Sequence, residues 1–239
     1  MKGKLALIVG GSGGIGSAIA RELSSKGARV VLAARNKSKA EEVAKEINEN
    51  GGDAYAIDVD VTAPDSVKNM AQQISDNLGE IDILVNAFGQ GLIQPFKEIN
   101  PADAKEIIDV NVYGTFVVTQ TILSHMNTQE SGHVIMLPGT MGKYVMKNSS
   151  VYAASKFAIQ GMTKALVEEL KRDNVRFSLF YLGGVNTPFW DDERVSMRVK
   201  KEAMLSPDEV ARTVVSAISI PGIGVVNEVV MQPESHQLV

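Results

Sequence analysis

The sequence predicts an α/β protein: a single-domain, Rossmann-like, doubly wound parallel sheet of about seven strands with helices on both faces. Three observations predict it. An apolar stretch, Leu5–Val9, leads directly into Gly10-Gly11-Ser12-Gly13-Gly14-Ile15-Gly16. Strand-like and helix-like segments then alternate to the end of the chain, the pattern of a parallel sheet covered on both sides. No repeat, low-complexity tract or linker interrupts the 239 residues, a length that suits one domain with an ample core.

Taken in order, the five-residue run Leu5–Val9 reads as a strand buried on both faces. Ile15, Ile19, Ala20 and Leu23 then recur at helical spacing, and Lys26-Gly27 stops that helix. Between them, glycine lets the backbone take positive φ and approach a ligand closely. The helix start adds free N–H groups and partial positive charge, so the turn is a candidate pyrophosphate cradle. Arg29–Ala34 reads as the second strand, followed by Arg35-Asn36-Lys37 where such a sheet meets an adenosine ribose. An acidic residue there would accept hydrogen bonds from a ribose 2′-OH. This chain instead has Ala34 and then Arg35, and a guanidinium suits a 2′-phosphate by charge and by its planar donors. The expected cofactor is therefore NADP(H) rather than NAD(H).

The alternation continues with a helix at 38–50, a strand at 54–60, a helix at Pro64–Leu78 and a strand at 81–85. A long helix at 101–126, a strand at 133–137, a helix at 149–172 and a strand at Val175–Leu182 follow. A helix at 207–219 and a strand at 225–231 complete the set. Right-handed crossovers then place ligands at the carboxyl ends of the strands. Tyr152-Ala153-Ala154-Ser155-Lys156 lies on the helix at 149–172, and its spacing puts the phenol and the ammonium on one face. A positive neighbour favours the phenolate, so the pair reads as a general acid/base with a lowered tyrosine pKa.

Composition excludes several other chemistries. There is no cysteine, which rules out disulfides and thiolate catalysis and is compatible with a reducing, cytoplasmic location. His125, His133 and His236 lack metal-ligand spacing and read as surface or helix-end residues, so no metal is expected. A net charge of −4 without a basic, aromatic-interleaved face argues against nucleic acid. No apolar run approaches the roughly 18 residues needed to cross a bilayer, and Leu5–Val9 is too short for a signal-peptide core, so no membrane partner is expected.

Together these motifs resemble the short-chain dehydrogenase/reductase family over nearly the whole chain. The family's Thr-Gly-x-x-x-Gly-Ile-Gly is similar to Val9 through Gly16, with Val9 replacing the Thr, and Gly13 standing where NADP-using members often carry a basic residue. The resemblance implies cofactor contacts from Gly10, Ser12, Gly13, Gly14, Ile15 and Gly16, and from Arg35 and Asn36. It implies further contacts from Asp60-Val61, which resembles the adenine-contact Asp-Val, and from Asn86, Ala87 and Gly89 in an altered Asn-Asn-Ala-Gly. Gly183, Val185 and Thr187, in a partly kept Pro-Gly-x-Val-x-Thr, would meet the nicotinamide amide. Asn111 resembles the family's helix-four Asn, which binds water linking the lysine to solvent. Tyr152 resembles the proton donor, and Lys156 its partner, which also holds the nicotinamide ribose.

One position departs. The family's catalytic Ser lies thirteen residues before the Tyr, which here is Gly139, and Gly142 keeps the closing Gly of that loop. Thr140 next to it, or a water, is the candidate replacement. Ser149, Ser150 and Ser155 read as helix-cap or packing residues. The resemblance thus implies an NADP(H)-dependent oxidoreductase acting on a carbonyl or alcohol substrate. The alternative, drawn from Gly139, Ala87, Phe88 and Leu182, is a nucleotide-binding regulatory or scaffold protein with little catalysis. Residues 188–204, with Phe189, Trp190, Met197 and Met204, fall where such folds carry a substrate lid, and with Met141 and Met146 they suggest an apolar acceptor. A homodimer or homotetramer built on the helices at 101–126 and 149–172 is also implied.

Overall fold

The computed structural model describes residues 1–126 and 132–237. The elements are β1 (Leu5–Val9), α1 (Gly14–Ser25), β2 (Arg29–Ala34), α2 (Lys37–Glu49), β3 (Asp53–Asp58), α3 (Pro64–Leu78) and β4 (Ile83–Asn86). They continue with α4 (Pro101–Ile108), α5 (Thr115–Leu123), β5 (Gly132–Met136), α6 (Ser150–Glu169), β6 (Val175–Leu182), α7 (Pro207–Ile218) and β7 (Glu228–Met231). The strands form one seven-stranded sheet in the order β3-β2-β1-β4-β5-β6-β7, and every pairing is parallel. The chain therefore winds outward through β2 and β3, returns across β1, and winds the other way from β4. The reversal leaves a crevice beyond the carboxyl ends of β1 and β4, where an open α/β sheet takes its ligands.

Period-two alternation sorts each strand between two cores. Ala6 and Ile8 of β1 join Ile19 and Leu23 of α1 and Val210 and Val214 of α7 on one face. Leu5, Leu7 and Val9 join Val67, Met70 and Ile74 of α3 with Val118 and Ile122 of α5 on the other. A fully buried Leu or Ile is worth about 1.5–3 kcal/mol, so the continuous apolar run of β1 is what anchors the glycine turn at its end.

Several boundaries differ from the sequence reading. β3 stops at Asp58, and β4 is displaced toward Asn86, which pairs with Val9, while Ile81 makes only a bridge to Met126. β7 is limited to its last four residues, Glu228–Met231. The helix expected over 101–126 is broken in the middle by a wider π-type turn at Asp109–Gly114 and ends at Leu123, the stretch 127–131 lying outside the described residues.

His133 also differs, being neither surface nor helix-end. It lies buried in β5 with Nε2 2.8 Å from Ser178 Oγ, whose hydroxyl donates to the Val226 carbonyl at 2.6 Å. The serine oxygen thus accepts from an Nε2–H, and burial, aided by Arg176, brings the imidazole down to about 4. The unfolded chain takes up a proton below the ordinary value of about 6.5 while the folded chain does not. The His133 contribution to stability is accordingly constant above pH 6.5 and falls as pH drops from there through about 4, by about 3 kcal/mol in total. Urea midpoints measured across that window are expected to show the loss, and a smaller one in His133→Gln.

Candidate active site

The glycine turn is shaped by close approach. Gly10 has φ of 88°, its N–H donates to the Ala33 carbonyl at 2.8 Å, and a Cβ there would lie 2.6 Å from the Ala87 carbonyl oxygen. A Cβ at Gly16 would meet the Gly10 oxygen at 2.2 Å, and one at Gly14 would meet Thr187 Cγ2 at 2.7 Å. The loops after β1, β4 and β6 therefore converge on the start of α1. That helix opens at Gly13 with no side-chain cap and no acid in its first turn, so an anion would meet its free amides unopposed. Ser12 and Gly13 lie on this turn, with Gly13 exposed and Ser12 half-buried, whereas Ile15 packs its side chain against the first core.

Arg35 follows β2 directly and is exposed. Nearby Asp60 has its carboxyl held below the usual range, first by the Thr62 hydroxyl and amide at 2.6 and 2.9 Å, with Arg35 adding to the effect. Asn36 spends its side-chain oxygen on the N-cap of α2, accepting from Lys39 N–H at 3.2 Å. Val61 is half-buried over Gly114, where Phe88 also packs. Asn86 turns its amide into the core toward Thr119 Oγ1 (3.3 Å) and Met136 Sδ (3.2 Å), leaving its Oδ1 buried with no partner among the described residues. Its side chain is withdrawn from the crevice, so Ala87 and Gly89 carry the exposed part of that loop.

Around Tyr152 the structure brings together Lys156, Asn111, Gly89 and Phe189. Lys156 is buried, with Nζ 5.5 Å from the centroid of the Tyr152 ring. Gly89 has φ of 150°, and a Cβ there would lie 3.2 Å from Lys156 Nζ and 3.1 Å from Asn111 Oδ1. Glycine at 89 is what allows these two polar groups to meet over the loop. Asn111 sits in the π-type turn, and its amide is fully engaged. Oδ1 accepts from Gln90 N–H at 2.8 Å, while Nδ2 donates to the Gln90 carbonyl at 2.9 Å and to Ser155 Oγ at 3.0 Å. Ser155 in turn donates to the Tyr152 carbonyl at 2.7 Å. The serine read as packing is thus the tie between Asn111 and the Tyr152 turn, a role that one-dimensional spacing does not reveal.

The electrostatics correct one expectation. Burial pushes the Tyr152 phenol above its ordinary value, and burial brings Lys156 down to about 8. Desolvation outweighs the attraction because the ammonium lies toward the ring and makes no hydrogen bond to the hydroxyl.

Position 139 explains the missing side chain. Gly139 has φ 67° and ψ 174°, a combination essentially restricted to glycine, and it starts a tight turn at Thr140–Gly142. Thr140 is buried, and among the described residues its hydroxyl makes no hydrogen bond. Ser149 directs its hydroxyl back to the Met146 carbonyl at 2.8 Å, and Ser150 is exposed at the start of α6.

The start of the segment at 188–204 packs against this site. Phe189 lies 5.8 Å from the Tyr152 ring, centroid to centroid, and Trp190 stands edge-on to Phe189 at 5.1 Å. Trp190 donates its indole N–H to the carbonyl of buried Val185 at 2.8 Å. A Cβ at Gly91 would sit 2.5 Å from Phe189 Cζ, so only glycine admits the ring there. Gly183 is fixed by its N–H to the Met231 carbonyl at 2.8 Å. Among the described residues, no helix is long and apolar enough to cross a membrane.

Known proteins agree with this architecture. An uncharacterized oxidoreductase of Staphylococcus epidermidis is 36% identical over 233 residues, spanning 98% of each chain. One of Staphylococcus aureus is 33% identical over 230 residues, spanning 96% of this chain and 97% of the relative. Among solved structures, an alcohol dehydrogenase from the archaeon Thermococcus sibiricus complexed with 5-hydroxy-NADP superposes with a TM-score of 0.90 at 26% identity, covering 99% of both chains. A metagenomic short-chain oxidoreductase in complex with NADP superposes with a TM-score of 0.83 at 30% identity, covering 98% of both. The short chain dehydrogenase family model matches residues 4–197, from β1 through the Tyr152 helix and into the covering segment. The chain belongs to the short chain dehydrogenase family.

Proposed function

We propose that this protein is an NADP(H)-dependent oxidoreductase of carbonyl and alcohol substrates, with Tyr152 as the general acid/base. The observation that carries the reading is the cluster of Tyr152, Lys156, Asn111 and Gly89 at the carboxyl edge of the sheet, beside the uncapped start of α1. The donor set fits the cofactor. A Cβ at Gly10, Gly14 or Gly16 would collide with the loops packed around the turn, the start of α1 carries neither a side-chain cap nor an acid, and Arg35 stands exposed at the end of β2. The glycine turn would hold the pyrophosphate, Arg35 the 2′-phosphate, and Lys156 with residues 183–187 the nicotinamide half. When bound, the nicotinamide gives or accepts the hydride.

The chain's own residues do the rest. Tyr152 Oη holds the proton that a reduced carbonyl oxygen takes up, and returns to the phenol on exchange with solvent. Its raised pKa keeps it protonated at neutral pH, as reduction requires, and the Lys156 ammonium offsets the phenolate charge as it forms. Asn111 fixes the loop beneath Lys156 through both polar groups of Gln90. Thr140, whose hydroxyl has no partner among the described residues, is the residue we assign to hold the substrate oxygen in place of the family's serine. Phe189 and Trp190 exclude water from the Tyr152 face, which supports an apolar acceptor and a lid at 188–204. A second reading, a nucleotide-binding protein with slight turnover, is favoured by the glycine-only backbone at 139.

Measuring NADPH oxidation against a panel of ketones and aldehydes tests the reading, and efficient turnover sinks the second one. For the cofactor, Arg35→Ala is expected to weaken NADPH binding about 10–100-fold through loss of a charge-assisted phosphate contact, with NADH binding changed less than about twofold. Fluorescence titration with both nucleotides checks it, and equal losses would refute the assigned contact.

A further inference from the structure

The segment covering Tyr152 is joined to the loop after β4 by a short bridge. Val195 forms a bridge with Ile93, in which Ile93 N–H donates to the Arg194 carbonyl at 2.8 Å and Ser196 N–H to the Ile93 carbonyl at 3.1 Å. The Arg194 side chain extends from this bridge. Nε and Nη2 donate to Asp192 Oδ1 and Oδ2 at 3.2 and 3.0 Å, which fixes the plane of the guanidinium. Nη1 then reaches across to Glu106 Oε2 of α4 at 3.2 Å and to Gln90 Oε1 at 3.5 Å.

Gln90 is the residue whose N–H and C=O are both held by Asn111. One guanidinium therefore touches the cover, α4 and the residue that Asn111 grips. We propose that Arg194 is a positioning residue, a latch that holds the 188–204 segment shut over Tyr152 and keeps Gln90 seated against Asn111. The latch is a property of the fold. Its kinetic consequence rests on the reading of Tyr152 given above.

The energetics suit a cover that must open in every cycle. The Arg194–Glu106 pair is partly exposed, with side-chain exposures of 22% and 46%, so it shifts an open–closed equilibrium by no more than about fivefold and weakens with salt. Phe189 and the Ile93–Val195 bridge supply the remainder of the closure.

The test uses the full chain and hydrogen exchange at the Ile93 and Ser196 amides. Arg194→Met keeps the aliphatic stem and removes the donors, and it is expected to speed exchange at both amides about threefold to fivefold. Glu106→Gln should do the same, and the double variant should exchange little faster than either single one, as expected for partners in one contact. Unchanged exchange in Arg194→Met overturns the latch whether or not the protein reduces any carbonyl.

In turnover with NADPH, Arg194→Met should raise the KM for the carbonyl acceptor severalfold and lower kcat. Arg194→Lys should recover part of both, and the NADPH dissociation constant should stay within about twofold. Faster exchange with unchanged KM and kcat would refute the positioning role. Absence of Tyr152-dependent turnover in the unaltered protein would defeat the functional reading instead, and the exchange comparison would still decide the latch.

Discussion

Tyr152→Phe is expected to lower kcat for carbonyl reduction by about 10²–10⁴-fold, the range for loss of a general acid, with NADPH affinity and unfolding midpoint unchanged. The substitution is confined in its effect because phenylalanine keeps the ring that Phe189 covers and that Lys156 approaches, and removes only an oxygen that makes no hydrogen bond among the described residues. Single-turnover consumption of NADPH measures the loss at the chemical step. The pH dependence should carry the same signature. Burial brings Lys156 down to about 8, so its charge is present at pH 7 and is lost as pH rises through that value. Reduction should therefore decline on the alkaline side, and the residual rate of Tyr152→Phe should not show that limb. A variant as active as the parent would remove Tyr152 from the mechanism.

Thr140→Val should cost about 10²–10³-fold in kcat, the usual consequence of removing one donor to a developing oxyanion. Valine has the same shape and the Thr140 hydroxyl makes no hydrogen bond among the described residues, so the buried site stays filled and thermal stability is expected to change little. The companion variant is Gly139→Ser, which restores the family residue in name. It is expected to gain no activity and to lose about 1–3 kcal/mol of stability, read as a lowered urea midpoint. Crowding is not the reason, since a Cβ at 139 would meet only the Leu182 carbonyl oxygen at 3.4 Å. The cost lies in the backbone, because φ 67° and ψ 174° exclude a side-chain-bearing residue without strain. If Gly139→Ser raised turnover, the loop would be able to rebuild the family geometry and Thr140 would lose its assigned role.

What could be read from the chain alone follows from how local each signal is. The strand at Leu5–Val9, the glycine turn and the helix at Pro64–Leu78 were legible because apolar period, glycine and an N-terminal proline act within a few residues. That Tyr152 and Lys156 share one helix face was legible for the same reason. The fate of Asn86 was not, since its withdrawal depends on Thr119 and Met136, which tertiary packing brings from α5 and β5. Ser155 looked like filler until Asn111 came to meet it from 44 residues away. The tyrosine pKa was misjudged because charge proximity can be counted along a helix and desolvation cannot. His133 was misplaced similarly, its burial being set by β6 rather than by its own neighbours.

The wide turn at Asp109–Gly114 has a bearing on how this chain can be altered. An ordinary helix advances about 100° per residue, so a turn holding one residue more than the α pattern resets the angular phase between its two halves. α4 and α5 thus face different directions: Ile107 before the turn and Val118 after it are both buried, while Asn111 within it reaches Gln90 and Ser155. Deleting a single residue here would tidy the hydrogen-bond ladder and rotate one half by roughly that same 100°. Either the apolar stripe of α5 would leave α3 and the sheet, or the amide of Asn111 would swing off the loop it holds. The irregularity is therefore a joint whose residue count is fixed from both sides, and it tolerates exchange of side chains far better than any change in length.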